Sequence, residues 1–534
     1  MHRLLFALIL FASADAAGAS SANAGSVSGI VINDADRQPV RKAAVILTSL
    51  SQDRSYAVAI TDGTGRYTLP GIPAGRYRLS AVRDGFLSVS YGATKPQRPG
   101  TSLNLAAAEQ RTAVTLHLIP SQSVSGTVLD AEGDPLPGIQ VSLYSRRMDR
   151  GKPHYLPSLS SMTDQQGHYQ LSGNILPGQY WALAHSRFMP ALRTRPVAII
   201  GETLQPETVT PQFYSHADRL SAATPIIVSQ GRDVPNVDFQ LNYSPQINVH
   251  GTIGGIPENS TRGFLRLEPD ANPINDRSSG PVQTIDPANP AFRFNGLIPG
   301  PYRLVVQMGR RRAIYPVTLS SPDTELNVSL LPGTSLSGSV TVEGPAAEQV
   351  KNLRISLSPG EGGGSRFSLE ARAKSRTFTF EEIPAGIWDI NVAPLPRGAY
   401  IKSMRLGQQD VLLEDMEIGP NTKGPLTIVI SMAAPKVEGT LDTAASATVL
   451  AAPTGSLAHV FSFYSTTQAD EKGHFKFEGL NPGSYRFYAF QEVEPEAWQD
   501  PAFLLPFEAQ SKPLELKEGA TETLTLAVIG SAGQ

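Results

Sequence analysis

One phrase recurs five times along this chain: an aromatic residue opens a short apolar strand, and a Pro/Gly turn closes on a second aromatic. It reads "RYTLPGIPAGRY", "HYQLSGNILPGQY", "FRFNGLIPGPY", "FTFEEIPAGIW" and "HFKFEGLNPGSY". From Tyr67 to Tyr77, Phe292 to Tyr302, Phe378 to Trp388 and Phe475 to Tyr485 the step is ten residues, and from Tyr169 to Tyr180 it is eleven. A step held so closely preserves register, and in a sheet a one-residue slip turns every side chain to the wrong face. A chain under that constraint folds as a series of like units, and 534 residues are too many for one core.

A second phrase opens each unit, as "SVSGIV", "SVSGTV", "NVHGTI", "SLSGSV" and "KVEGTL", and places Gly29, Gly126, Gly251, Gly338 and Gly439 at domain-sized intervals. A third phrase closes it with apolar residues in alternation, "VTLHL", "VDFQL", "LNVSL", "LTIVI" and "LTLAV". Period two means strands with one wet face. The expected division is 24–120, 121–243 with a long insertion, 244–332, 333–434 and 435–534. In "TDGTGRY", "TDQQGHY" and "ADEKGHF", Asp followed three residues later by Gly predicts a type I turn and a hairpin. Asp62, Asp164 and Asp470 are therefore read as turn formers rather than acid catalysts or calcium ligands. The same turn is absent from "DPANPAF" and "AKSRTF". Gly (47) and Pro (43) punctuate the chain too often for long helices. The expected fold is all-β, a linear array of antiparallel two-sheet sandwiches, with the aromatic after each Pro/Gly turn plugging the core.

These three phrases together resemble the carboxypeptidase regulatory-like domain, a seven-stranded transthyretin-like (prealbumin-like) Greek-key sandwich. The resemblance covers nearly all of 24–534, most fully in the first, second and fifth units, and the whole is similar to tandem proteins of this family secreted by soil bacteria. It implies a carbohydrate-binding-like fold and a non-catalytic role, and names no ligand. The related pilin B-type domains carry Lys–Asn isopeptide bonds. Four opening strands here have no Lys, and the fifth, with Lys436, has no Asn in its partner "TLTLAV".

The first residues pair a short basic stretch (His2, Arg3) with an apolar run from Leu4 to Ala12 and small-residue steps, the pattern of a signal peptide over 1–23. The expected location is secreted, periplasmic or otherwise envelope-associated, with no membrane-spanning segment in the mature chain. Cysteine is absent, which removes disulfides, thiolate metal sites and Cys nucleophiles. Net charge is −3 with both signs mixed, so a nucleic-acid partner is not expected, and "GRRR" at 309–312 reads as a solvated hairpin edge. "LPGTS" at 331–335 reads as a turn between units, and "GEGGG" at 360–364 as loop.

Enzyme motifs are missing: there is no His-Glu-x-x-His, no Gly-x-Ser-x-Gly and no phosphate-binding Gly-x-x-x-x-Gly-Lys-Ser. His168 and His474 share one repeat position with Arg66, and His117 lies on the polar phase of its strand, so all three are expected at the surface. No catalytic residue, metal or cofactor is expected. Sugars are bound by exposed aromatic faces flanked by amides and carboxylates, and the candidates outside the repeat core are Trp498, Phe213 and Tyr214, each weighed against packing within its own unit. Glu494, Glu496, Gln499 and Asp500 are the polar groups near Trp498. The sequence reads as a non-enzymatic surface-interaction protein whose partner is polysaccharide or another envelope protein; the alternative is a carbohydrate-binding protein with a sugar site on one or two units.

Overall fold

The computed structural model describes residues 24–530, apart from 51–53, 94–95, 97–99, 150–151, 187–194, 201–202, 259, 270–279, 310, 346, 351–352, 361–367, 373–375, 444–446, 471, 492 and 494–495. The expected signal peptide, residues 361–364 of the glycine run, and Glu494 lie outside the described residues. The structure is 59% strand and 5% helix, as the turn spacing demands. It forms two compact units: the described parts of Met1–Thr127 with His168–Gln179 and Ile227–Val237, and the remainder. The second repeat contributes to both.

All five repeats build two sheets around the same central strands. The opening strands are Gly25–Asn33, Ser123–Asp130, Ile247–Gly254, Thr334–Glu343 and Lys436–Leu441. Each lies between the aromatic strand, antiparallel to it, and the closing strand, parallel to it. The sheets are thus mixed, where the sequence led us to expect purely antiparallel ones. The chain leaves the first sheet to build the second before it returns, and such a crossover brings the last strand back in the direction of the first. In the second sheet the central strands, such as Ala44–Ser49 and Thr448–Pro453, pair on one side with a hairpin partner and on the other with the strand after the Pro/Gly turn. The first, third, fourth and fifth repeats each bury a core that draws on both sheets, exemplified by Val27 with Val45 and by Val437 with Val449.

One cross-strand pair recurs in every first sheet. Gly29 faces Tyr67, Gly126 faces Tyr169, Gly251 faces Phe292, Gly338 faces Phe378 and Gly439 faces Phe475. In the fourth and fifth repeats the ring lies across the glycine. In the first two repeats its hydroxyl reaches over the opening strand to donate to the closing strand, Tyr67 to the Val114 carbonyl at 3.1 Å and Tyr169 to that of Val237 at 2.6 Å. In the last two, a methyl group on Gly338 or Gly439 would collide with the ring tip of Phe378 or Phe475 and with a closing-strand carbonyl. A glycine weakens a strand by leaving backbone bare, and an aromatic laid over it restores both contact and dryness. Burial holds the Tyr67 hydroxyl well above its ordinary pKa.

The aromatic after the Pro/Gly turn is buried in every repeat: Tyr77, Tyr180, Tyr302, Trp388 and Tyr485 are 1–8% exposed. Three of them also tie the turn. Tyr77, Tyr302 and Trp388 donate to the carbonyls of Pro73, Ile298 and Pro384, four residues earlier, at 3.0, 2.7 and 2.9 Å. The indole N–H therefore does in the fourth repeat what a phenol does in the first and third, and burial pushes the Tyr302 hydroxyl up to about 12.

The Asp turns form as read. Asp62 accepts from the amides of Thr64 and Arg66 at 2.8 and 3.0 Å, Asp470 from those of Lys472 and His474 at 2.9 and 2.8 Å, and Asp164 from Gln166 at 2.9 Å. Those amides hold the Asp62 and Asp470 carboxyls below their ordinary pKa. A buried Thr precedes two of the turns and secures the loop opposite: Thr61 donates to Val40 and accepts from Ala43, and Thr163 does the same with Leu136 and Ile139. The third and fourth repeats correct the sequence reading. Asp286 still closes a turn, accepting from Ala288 at 2.9 Å, with Asn289 in place of the glycine. In the fourth, Arg376 adopts the glycine's left-handed backbone at φ 66°. What all five keep is a bond from the opening strand to the carbonyl two residues before the aromatic: Val31 to Gly65, Val128 to Gly167, Ile253 to Pro290, Val340 to Arg376 and Leu441 to Gly473, at 2.8–3.1 Å.

The arginine run also departs from expectation. Arg311, in the hairpin strand Arg311–Leu319, is not a solvated edge. It forks onto Glu382 of the fourth repeat at 3.0 and 3.4 Å, and Glu382 in turn accepts from the Gly333 amide in the turn between the two repeats at 2.9 Å. A similar joint links the fourth and fifth repeats, where Glu518 accepts from Ser431 at 2.6 Å and pairs with Lys402 at 3.2 Å. The Arg311 guanidinium holds the Glu382 carboxyl below its ordinary value, and the Ser431 hydroxyl does so for Glu518.

Two outcomes follow from this packing. Gly29→Ala should destabilise the protein by about 1–3 kcal/mol through collision with the closing strand, whereas Gly63→Ala, with open space around it, should stay within about 0.5 kcal/mol; chemical denaturation measures both. The depressed carboxyls contribute stability above their unfolded values, and that stability is lost as pH falls through the folded ones. Cleavage of the turn at Leu331–Thr334 should therefore accelerate only once pH falls below the ordinary glutamate range, and in Glu382→Gln it should be fast already at neutral pH and nearly flat with pH.

Candidate functional site

The three aromatic candidates lie in the two insertions that follow the strand after the Pro/Gly turn, and both insertions perform the same task. In the second repeat that strand, Gly178–Ser186, turns Trp181 and Leu183 to its outer face. Phe213 pairs with Leu183 across the ladder and packs with Tyr144, Trp181, Ala217 and Leu220 in a satellite core. At 3% exposure Phe213 is packed within its own unit, the alternative weighed for it in the sequence. An outward sheet face that carries Tyr and Trp needs a cover, and Phe213 is part of it. Tyr214 is half-buried and meets the Phe239 ring edge-on at 6.1 Å.

The fifth repeat repeats the device. Leu450, Ala452, Tyr488 and Phe490 occupy the outer face of its second sheet, and Val493, Trp498, Phe503, Leu504 and Phe507 fold back over them. Phe507 meets Phe490 edge-on at 5.4 Å. The short helix Pro501–Leu504 starts where it does because Asp500 accepts from the Ala502 amide at 3.0 Å and Pro501 begins the first turn. Asp500 also pairs with Arg146 at 3.0 Å. Trp498 is half-buried in the turn Ala497–Gln499, Gln499 is half-buried beside it, and Glu496 is exposed.

The histidines stay apart. His168 and His474 are exposed on their aromatic strands, as read, and His474 faces Asp470 at 3.4 Å. His117 is less exposed than its strand phase suggested, because it sits against Asp34 at 3.2 Å and Arg37 at 2.9 Å. Among the described residues no group of three or more His, Asp or Glu is placed to hold a metal ion. An open groove of about 770 Å³ on the fifth repeat is lined by Glu438, Thr440, Gln468, His474, Lys476 and Thr525. Lys476 is already paired there with Glu438 at 3.0 Å and with Glu478 at 2.9 Å. No helix among the described residues is long and apolar enough to cross a membrane.

Sequence reasoning passed over a cluster on the third repeat. Arg266 and Arg303 both reach Glu268, at 3.5 and 3.2 Å, and Arg312 of the arginine run joins them on one sheet face. The available signal was alternation: "FLRLEP" and "YRLVVQ" place an arginine on the outward phase of two strands that pair.

Comparison with known proteins gives a family match and remote structural likenesses. Residues 26–117 match the carboxypeptidase regulatory-like domain. No curated protein matches. Among solved structures, the Bacillus anthracis TIE protein is 11% identical at a TM-score of 0.17, over 58% of this chain, which spans half the length of that one. A streptococcal ancillary pilin is 13% identical at 0.20, over 57% of this chain and 99% of its own. The minor pilin of Streptococcus agalactiae is 14% identical at 0.22, over 42% and 97%. The first repeat, over residues 26–117, is thus similar to the carboxypeptidase regulatory-like domain, and the four that follow share its central order of aromatic, opening and closing strands.

Proposed function

We propose that this chain is a non-enzymatic scaffold of five β-sandwich domains, 24–120, 121–243, 244–332, 333–434 and 435–534, which is exported after removal of residues 1–23 and acts at the cell envelope by surface interaction with a polysaccharide or another envelope protein. The observation that carries this reading is the use made of its side chains. The repeated aromatics build cores, the repeated Asp residues build turns, and the aromatics of both insertions cover their own sheets. Exposed strand faces are what differ from one repeat to the next, and variable faces on a repeated frame suit recognition.

A second reading, a carbohydrate-binding protein proper, is favoured by one residue. Of the three tryptophans, Trp181 and Trp388 are buried and Trp498 keeps part of its surface beside Gln499 and Asp500. Indole fluorescence therefore reports on Trp498 when a polysaccharide is titrated. Retention of the full chain on a polysaccharide matrix without a change in indole emission supports the scaffold. Retention with quenching that Trp498→Phe abolishes supports the sugar site, and retention on no glycan and no envelope fraction would sink both readings.

A further inference from the structure

We infer that the outer face of the second sheet of the first repeat is a docking site for a second copy of this chain, which meets it with the acidic insertion of its fifth repeat. This goes beyond the surface-interaction reading above and does not depend on it. In the second and fifth repeats the corresponding outer face is apolar and an insertion covers it. In the first repeat the face is apolar and open to solvent.

The ladder lays this face out over the strands Arg54–Ile60, Ala44–Ser49 and Gly75–Val82. Ile60 faces Ala44, which faces Val82, and in the next row Val58 faces Ile46. The alternate residues Val45 and Leu47 are fully buried in the core, so this set stands on the other side of the sheet. Ile60 and Val58 are exposed by 61% and 58%, and their strand is the edge of its sheet. Clustered aliphatic side chains on an edge mark a surface that another chain covers.

Cations bound the patch. Arg41 and Lys42 form the turn into Ala44–Ser49, where the Lys42 amide donates to the Thr61 carbonyl at 3.0 Å, next to Ile60. Arg83 follows Val82 and donates to the Lys42 carbonyl at 3.2 Å, and Arg78 lies at the far end, opposite Thr48. Asp84 is the one acid in the stretches 41–48, 56–60 and 76–84. Among the described residues Arg41, Lys42 and Arg78 enter no ion pair.

The chain itself carries the complementary charge. Residues 24–120 hold eleven Lys and Arg against six Asp and Glu, a net of +5, whereas 435–534 hold six against thirteen, a net of −7. No pairing inside either repeat cancels its excess, and the three repeats between them carry only −1, +1 and −1. Within the fifth repeat the acids gather in the insertion: residues 487–511 include five and no Lys or Arg. Asp500 and Glu508 are held by Arg146 and Arg486, but Glu496 is exposed and enters no ion pair among the described residues. Leu505, next to the Leu504 that packs on the sheet, is exposed by 66%. An aliphatic residue among acids suits an aliphatic face bounded by cations, the apolar contact supplying burial and the charges orientation. The opposite charge within the same chain favours a second copy over an anionic membrane. Two different surfaces in contact make a heterologous joint, which links copies head to tail.

Sedimentation velocity of the full chain over a range of concentrations, at low and high salt, tests this. The expected result is association that grows with concentration and weakens with salt. Val58→Gln/Arg78→Glu and, separately, Glu496→Lys/Leu505→Lys should each weaken it about tenfold or more, with melting temperatures unchanged, while Arg354→Glu on the fourth repeat should behave as the parent. Mixed in equal amounts, the two double variants should form pairs and stop there, because each brings the face that the other lacks. A chain that stays monomeric at every concentration would overturn the inference, as would association that neither double variant weakens. Loss in the first variant without loss in the second would also overturn it, and binding to phosphatidylserine vesicles abolished by that first variant would assign the face to a membrane instead.

Discussion

A glycine with an aromatic ring laid across it is the contact on which this architecture depends. The opening strand must approach the closing strand so nearly that the smallest side chain would strike a carbonyl, and only glycine permits it. Bare backbone in a core strand would admit water, and the ring from the opposite strand closes that gap. One pair thereby fixes three strands: the opening strand at the centre, the aromatic strand through its ring, and the closing strand through close contact. The ten-residue step to the second aromatic then places the next strand in the other sheet, where that residue fills the core and, in three repeats, ties its own turn.

Much of this was legible before any coordinates. The glycines, the aromatics and the alternating closers were each visible as a pattern, because local periodicity reports strand and face directly. Their mutual pairing was not, since nothing in the spacing says that Gly29 meets Tyr67 or that the closing strand returns parallel. Two turns were misjudged for a related reason. "DPANPAF" and "AKSRTF" lack the Asp-x-x-Gly signature, yet Asp286 accepts the same kind of amide bond and Arg376 takes the left-handed conformation. What the fold requires at that place is a carbonyl aimed at the opening strand, and several residue types can supply one. Arg311 shows a different limit: a basic run reads as solvated until a carboxylate from the next repeat, 71 residues on, is found against it.

The insertions explain why the aromatic candidates were ambiguous. A residue outside the repeat pattern is free of the main core, and that freedom is shared by a ligand platform and by a cover. The deciding feature is the sheet beneath. Tyr144 and Trp181 in the second repeat, and Tyr488 and Phe490 in the fifth, make outer faces too apolar to stand in water. The third repeat has a face of more polar character, where Arg266 and Arg303 both reach Glu268.

Hydrogen exchange, followed peptide by peptide on the full chain and on Gly338→Ala, tests the central claim most directly. If the glycine–aromatic pair organises each repeat separately, the slowest amides will be those of the opening strands in all five repeats, and Gly338→Ala will release protection across 334–431 while the other four repeats keep theirs. Opening strands that exchange as fast as the turns, or a loss of protection that spreads evenly along the chain, would contradict the account.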